Sequence, residues 1–468
     1  MPSSWTTSPA WELLLPAASG PVRGRGRELG AALRAAVRGG SLAAGTRLPS
    51  SRDLARDLRV SRGLVSELYA QLTAEGYLIS RQGAGTWVAA LVPPSPATPG
   101  RRAEAAPGGP VTDFRPGLAD LAAFPRAAWS AARRGALAAL PDTGLDYPDP
   151  QGLPALRTAL AGLLSRRRGV VVAPEGVIVC AGVAQALSLL GRVLAGRGHG
   201  TVAVEDPGSV SVYPLYRASG LEPVPVPVDA EGMDVGALRA SGARVAMLTP
   251  AHQFPTGVVH SPARRAALLD WAGRVGGLLV EDDYDGDFRY DRAPVGSLQG
   301  LAPELVAYTG SVSKSLAPGL RLGWLVPPAG LLAELVEARR VSDLGSGVVE
   351  QAALAGFLES GRYDRQLRLC QRRYRERRDA LIAALTTVLP EVRVSGIAAG
   401  LHLTAEFPYP VPAGLCARAG VRLRPLADYT ASGAPTPRCF VLGYAHLGAA
   451  EIDGAVRRLA AALRSVAV

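Results

Sequence analysis

Lysine is nearly missing from this chain of 468 residues: Lys314 is the single one, against 50 arginines. Cysteine is scarce too. Cys180, Cys370, Cys416 and Cys439 include no pair at C-x-x-C spacing, which argues against a zinc site or a dithiol redox motif and suits reduced thiols. No apolar run reaches the ~18 residues that a transmembrane helix needs, so no membrane partner is expected. The opening MPSSWTTSPAWELLLPAASG has no basic n-region, and its apolar stretch is too short for a secretion signal. The expected location is the cytoplasm.

What is present supports a large folded protein. Apolar residues make up 48% of the chain and charged ones 19%. The length suits about three structural units with a substantial buried core. A net charge of +11 permits a nucleic-acid partner without requiring one. Arginine serves wherever a positive charge suffices, so Lys314 stands out: a primary amine does chemistry that a guanidinium cannot.

Composition divides the chain. A tail covers 1–22, and a compact unit covers 23–90. The stretch LVPPSPATPGRRAEAAPGGP opens a linker over 91–111. From 112 to 468, short apolar runs such as GVIVCAG, TVAVEDPG, RVAMLTP, GLLVEDDY and LVAYTGS alternate with helical patterns. This predicts an α/β unit with a largely parallel sheet over about 141–340. Arg-rich helices after about 340 predict a smaller α+β subdomain over 341–468.

The N-terminal unit has the pattern of a winged helix-turn-helix, mainly α. Leu29, Leu33 and Val37 mark a first helix. Ser50 with Asp53 three places on predicts a helix start, and Ser61 predicts the N-cap of a longer second helix. The strands YLISR and TWVAA flank QGAG as a hairpin, which makes a wing. Such a second helix enters the major groove of double-stranded DNA. Positions 23–90 carry 11 Arg against five acidic residues. Arg52, Arg56, Arg59, Arg62 and Arg81 gather at the helix starts and the wing, where phosphates would lie.

The segment LPSSRDLARDLRVSR…YAQLTAEGYL…GAGTWV resembles the DNA-binding domain of GntR-type regulators. The resemblance implies DNA contacts at Arg52, Ser61, Arg62 and Gly85. One departure is Leu64, where the family usually has a DNA-touching threonine.

Two clusters follow strand-like runs in the second unit: EDDYDGDFRY (281–290) and SVSKSLAPGLRLGW (311–324). In open α/β sheets the ligand crevice lies at the carboxyl ends of strands. The clusters would bring together an acid, a phenol, a lysine and an arginine, which is what pyridoxal phosphate requires. A lysine condenses with its aldehyde, a carboxylate keeps the pyridine nitrogen protonated, and a donor meets the ring oxygen. An arginine fork, hydroxyls and a helix N-terminus hold the phosphate. The candidates are Lys314, Asp282, Tyr284, Arg321, Ser311 and Ser313, with the N–H groups of Gly182, Val183 and Ala184. A calcium loop is the competing reading of the acidic run, but Gly286 is misplaced for it and no bidentate Glu follows. No metal is expected.

Residues 112–468 resemble the fold type I aminotransferases through YPDPQGLPALR, VCAGVAQALSLL, AVEDPG, LTPAHQFPTG and the two clusters above. The whole chain resembles the MocR-type regulators, a GntR domain joined to an aminotransferase-like domain. The resemblance implies that Lys314 carries the cofactor, Asp282 (or else Asp283) holds the pyridine nitrogen and Tyr284 the ring oxygen. It implies a head-to-tail homodimer in which Tyr147 reaches the partner subunit's cofactor phosphate. The departures are Phe254 in place of the Asn of an NPTG segment, Ser209 in place of an aromatic (with Tyr213 and Tyr216 close by), and a phosphate loop AGVAQ without the usual hydroxyl. Val441 replaces the arginine that clamps an α-carboxylate, and Arg438 and Arg424 are neighbours rather than matches. The reading is a transcriptional regulator that senses pyridoxal phosphate or its adduct with an amine; the alternative is a working aminotransferase carrying a DNA-binding domain.

Overall fold

The computed structural model describes residues 24–81, 84–90, 111–291 and 295–465. The expected tail and the body of the linker lie outside them. The chain forms two compact units, Met1–Ala106 and Pro107–Val468.

Among the described residues the first unit holds three helices, Arg25–Arg38, Ser51–Asp57 and Arg62–Ala74, then a hairpin of β1 (Leu78–Arg81) and β2 (Gly85–Val88). Its helix starts follow from the caps. Ser50 Oγ accepts the Asp53 N–H at 3.2 Å, and Ser61 Oγ accepts the Leu64 N–H at 3.2 Å. The Asp53 carboxylate accepts from the Ser50 hydroxyl rather than its backbone N–H, so the capping box is modified. Arg59 takes a left-handed φ of 52°, which turns the chain sharply between the two helices. Leu29, Leu33, Leu54, Val65, Leu68, Leu72, Leu78 and Val88 close one core. The wing tip at 82–83 is outside the described residues.

The second unit opens with β3 (Thr112–Asp113) and is built on an eight-stranded sheet. Its strands are β4 (Ile178–Cys180), β5 (Thr201–Asp206), β6 (Glu222–Asp229), β7 (Gly232–Met233), β8 (Val245–Leu248), β9 (Leu278–Asp282), β10 (Val306–Ser311) and β11 (Gly323–Val326), in the order β4-β11-β10-β9-β8-β5-β6-β7. Strands β10, β9, β8, β5 and β6 run parallel, and β11 runs antiparallel to both β10 and β4. Strands β8 and β11 are buried throughout, as a sheet covered on both faces requires. The helices Val183–Gly196 and Ala329–Asp343 contribute to the core on one face, and Val235–Ala240 and Pro262–Val275 to that on the other. Pro223, Pro225 and Pro227 sit at alternate positions of β6, so the missing N–H groups fall on one side of that near-edge strand.

The remaining strands are β12 (Arg393–Ser395), β13 (His402–Glu406), β14 (Val421–Arg422), β15 (Arg424–Pro425) and β16 (Cys439–Gly443). They include an antiparallel sheet ordered β12-β13-β16-β15, and the long helices Arg362–Val388 and Ala449–Arg464 share its core. Strand β3 pairs in parallel with β14. The start of the unit is thereby fastened to its far end, and residues 113–117 are led on toward the site.

Candidate cofactor site and nucleic-acid interface

Strand alternation separates three consecutive acids at the end of β9. Glu281 and Asp283 point to one side. The Glu281 carboxylate accepts the N–H groups of Leu298 and Gln299, each at 3.0 Å. Asp283 is taken up by buried Arg168 at 2.5 Å and by the Tyr308 hydroxyl at 2.6 Å. Asp282 points the other way, and its Oδ1 is buried with no hydrogen-bond partner among the described residues. Burial, and then Asp283 beside it, push its carboxyl up to about 7, while Lys314 pulls it down. Of the two aspartates offered by the sequence, Asp282 is the one with an oxygen left unpartnered among the described residues, its carboxylate otherwise meeting Thr309.

Lys314 follows β10. Its ammonium donates to the Gly117 carbonyl at 2.6 Å. Burial pushes the lysine pKa down, against the opposing pull of Asp285 and Asp282. Gly117 holds φ +77°, and a side chain on it would stand 3.7 Å from the lysine nitrogen. No local pattern pointed to this residue, because its partner lies almost two hundred positions away.

The residues predicted to hold a phosphate gather at a helix start. Gly182, with φ +88°, precedes the helix Val183–Gly196. The Arg321 guanidinium donates to the Ala181 carbonyl and covers Gly182, where a Cβ would meet it at 2.9 Å. Arg321 is itself exposed and left-handed at φ 52°. Ser311 Oγ accepts the Ser313 N–H at 3.3 Å. An arginine fork, a helix N-terminus and two serine hydroxyls thus lie around the crevice end of the sheet.

Tyr284 is half-buried, and its hydroxyl donates to the His252 carbonyl at 3.0 Å. The His252 ring hydrogen-bonds Asp285 at 2.9 Å and lies 5.1 Å from the His402 ring. Donor atoms of His252, Asp285 and His402 fall within 4.8 Å of one another. The segment LTPAHQFPTG marked this place, but its histidine was not singled out. Phe254 packs edge-on against Tyr284, His402 and Tyr429, so the Asn position of the enzymes is filled by an aromatic cluster. Tyr213 and Tyr216 are buried core residues rather than exposed stacking partners, and Tyr216 lies near Asp282. Tyr147 is 81% exposed and makes no side-chain hydrogen bond to the described residues.

In the winged unit Arg52, Arg59, Ser61 and Arg62 are exposed, and Gly85 is half-buried at the start of β2. Trp87 packs beneath the guanidinium groups of Arg47 and Arg81, at 5.7 and 5.6 Å.

Comparison with known proteins assigns both halves. Residues 117–459 match the aminotransferase class I and II family, and residues 25–88 match the gntR family of bacterial regulatory proteins. The α-aminoadipate aminotransferase LysN of Thermus thermophilus, solved with N-(5'-phosphopyridoxyl)-L-leucine, aligns with TM-score 0.67 and 30% identity over 76% of this chain and 93% of its own. The kynurenine aminotransferase of Pyrococcus horikoshii aligns with TM-score 0.69 and 25% identity over 76% and 92%. The large unit therefore has the fold type I aminotransferase architecture; the Pyrococcus enzyme was solved with PMP and the Thermus enzyme with a phosphopyridoxyl adduct. Full-length similarity runs to regulators. The probable rhizopine catabolism regulatory protein MocR of Rhizobium meliloti is 34% identical, over 90% of each chain. The pyridoxine biosynthesis transcriptional regulator PdxR of Corynebacterium glutamicum is 34% identical over 85% and 87%. The chain belongs to the MocR-type transcriptional regulators, in which a GntR-type DNA-binding domain is joined to an aminotransferase-like domain. Among the described residues no helix is long and apolar enough to cross a membrane.

Proposed function

We propose that this regulator holds pyridoxal phosphate at Lys314, and that occupancy of the site, by the cofactor alone or joined to an amine, alters how the winged unit binds its operator. The observation that carries the reading is the buried Asp282 Oδ1, which has no hydrogen-bond partner among the described residues and stands beside the chain's single lysine. A buried carboxylate without a partner is costly. A protonated pyridine nitrogen is the partner it lacks.

The remaining roles follow from placement. Arg321, Ser311 and Ser313, with the N–H groups of Gly182, Val183 and Ala184, would hold the phosphate. Tyr284 would meet the ring oxygen once its hydroxyl turns from the His252 carbonyl. When bound, the cofactor supplies an aldehyde that captures a primary amine. Burial keeps the Lys314 amine closer to its neutral, nucleophilic form, and the Gly117 carbonyl orients it. The exposure of Tyr147 suits a side chain that completes the phosphate site of a partner subunit in a head-to-tail homodimer. In the winged unit Ser61 and Arg62 open the recognition helix, and Arg52 and Gly85 flank it; these four are proposed to meet DNA.

The test has two parts. Visible absorbance during titration with pyridoxal phosphate, followed by borohydride reduction, should label the peptide containing Lys314. DNA affinity at fixed salt should then differ between the loaded and cofactor-free protein. Identical affinities would overturn the coupling, and an unlabelled peptide would overturn the cofactor reading.

A further inference from the structure

We infer that Arg424 supplies the carboxylate contact of the effector, from the strand next to the place where aminotransferases carry their clamp, and that the effector is an amine bearing a carboxylate. The inference rests on the cofactor reading above.

The β-register carries the argument. Val441 occupies the clamp position on β16. Arg424 on β15 lies directly opposite it, and Thr404 on β13 lies opposite it on the other side. Residues directly opposed in an antiparallel sheet share a face. The other face carries Leu403, Ala405, Phe440 and Leu442 into the subdomain core. The face with Arg424, Val441 and Thr404 also carries His402, opposite Gly443, and the His402 ring packs on His252 and Phe254 beside Tyr284. Arg424 therefore stands on the cofactor-facing side. Arg393 and Glu406 share that face only at its exposed end.

The state of the guanidinium supports a ligand role. Its Nη2 donates to Asp113 at 3.1 Å, while its Nε is buried with no partner among the described residues. It is close enough to the Tyr429 phenol to oppose the burial that pushes that group up to about 12, and Tyr429 packs on Phe254. Asp113 also accepts from Arg422 at 3.3 Å, so it stays paired if Arg424 is drawn away. The chain then runs from Asp113 to Gly117, whose carbonyl holds Lys314. Four residues span at most about 14 Å, within the combined reach of a lysine, an arginine and a small amino acid. A guanidinium with a buried Nε still to be satisfied suits a carboxylate better than any neutral group. Asp113 acts as the internal competitor that an incoming carboxylate displaces.

The test uses full-length protein freed of cofactor and four stable probes followed by calorimetry: N-(5'-phosphopyridoxyl)-glycine against its methylamine counterpart, and the β-alanine adduct against its ethylamine counterpart. Each pair differs by one carboxylate. In at least one pair the wild type should favour the acid by about tenfold or more, the range of a charge-assisted contact. Arg424→Met should remove that preference and leave the amine probe unchanged. Asp113→Asn should strengthen it, whereas a merely structural ion pair would weaken all probes alike in both variants. Equal binding of acid and amine by the wild type, or parallel weakening in both variants, overturns the inference while cofactor binding stands. Failure of the wild type to take up any probe or pyridoxal phosphate itself overturns both.

Discussion

Arginine does different work in the two units. In the winged unit Arg59 and Arg62 stand exposed, with no ion pair among the described residues. In the large unit Arg168 is 3% exposed and locked to Asp283 at 2.5 Å. A guanidinium left in water is available to a phosphate, and its energy depends on salt. One buried against a carboxylate is committed to holding two segments together, and losing one partner leaves an uncompensated charge. The lesson extends to single steps along the chain. Asp282 and Asp283 are chemically identical neighbours, yet Asp283 is locked to Arg168 while Asp282 keeps an oxygen without a partner among the described residues.

The largest effect expected from this contrast is chemical. Lys314→Ala should abolish the visible band formed with pyridoxal phosphate, because no other lysine can replace it. If the band survived, the site would not be the one described. Next, Asp283→Asn should destabilise the large unit by about 3–5 kcal/mol, the scale of a broken buried pair. Asp282→Asn should cost far less in thermal or denaturant unfolding while weakening cofactor binding. Comparable losses from the two would erase the distinction.

A pH dependence sharpens the same pair. The folded chain releases the Asp282 proton near pH 7, well above the ordinary aspartate value of about 4. Between those values the folded state binds the extra proton, so this group's contribution to stability falls as pH rises toward 7 and stays low above it. In cofactor-free protein, the stability of Asp282→Asn relative to wild type should therefore be greater at pH 8 than at pH 5. Unfolding curves at the two values would show it, and an unchanged difference would contradict the placement. The smallest effects belong to the winged unit. Arg62→Ala should weaken operator binding and lower the salt slope by about one counterion. Arg34→Ala, already paired with Glu75 at 2.6 Å, should leave that slope unchanged.

Much of this site was legible. Ser50 and Ser61 announced their helices because a cap is a contact across three residues. Lys314, Arg321 and the glycine at 182 could be proposed from sequence because strand-end loops of a parallel sheet gather ligand-binding groups. What could not be read was set by distant partners. The choice of Asp282 over Asp283 depended on Arg168, more than a hundred positions away. Gly117 was silent because it meets Lys314 only through the pairing of β3 with β14. Arg424 looked like a bystander in sequence, since it stands seventeen places before Val441; β-pairing sets them side by side.

The order of residues settled the two-part construction, the helix boundaries of the winged unit and the position of the single lysine, since each depends on local spacing or on there being a single candidate. The folded arrangement decided which acid was locked to an arginine, which arginines were spent, and which segment came to lie against Lys314. Those outcomes rest on burial and on pairings between distant strands, and the free energy of a charge is fixed by its surroundings rather than by its neighbours in the chain.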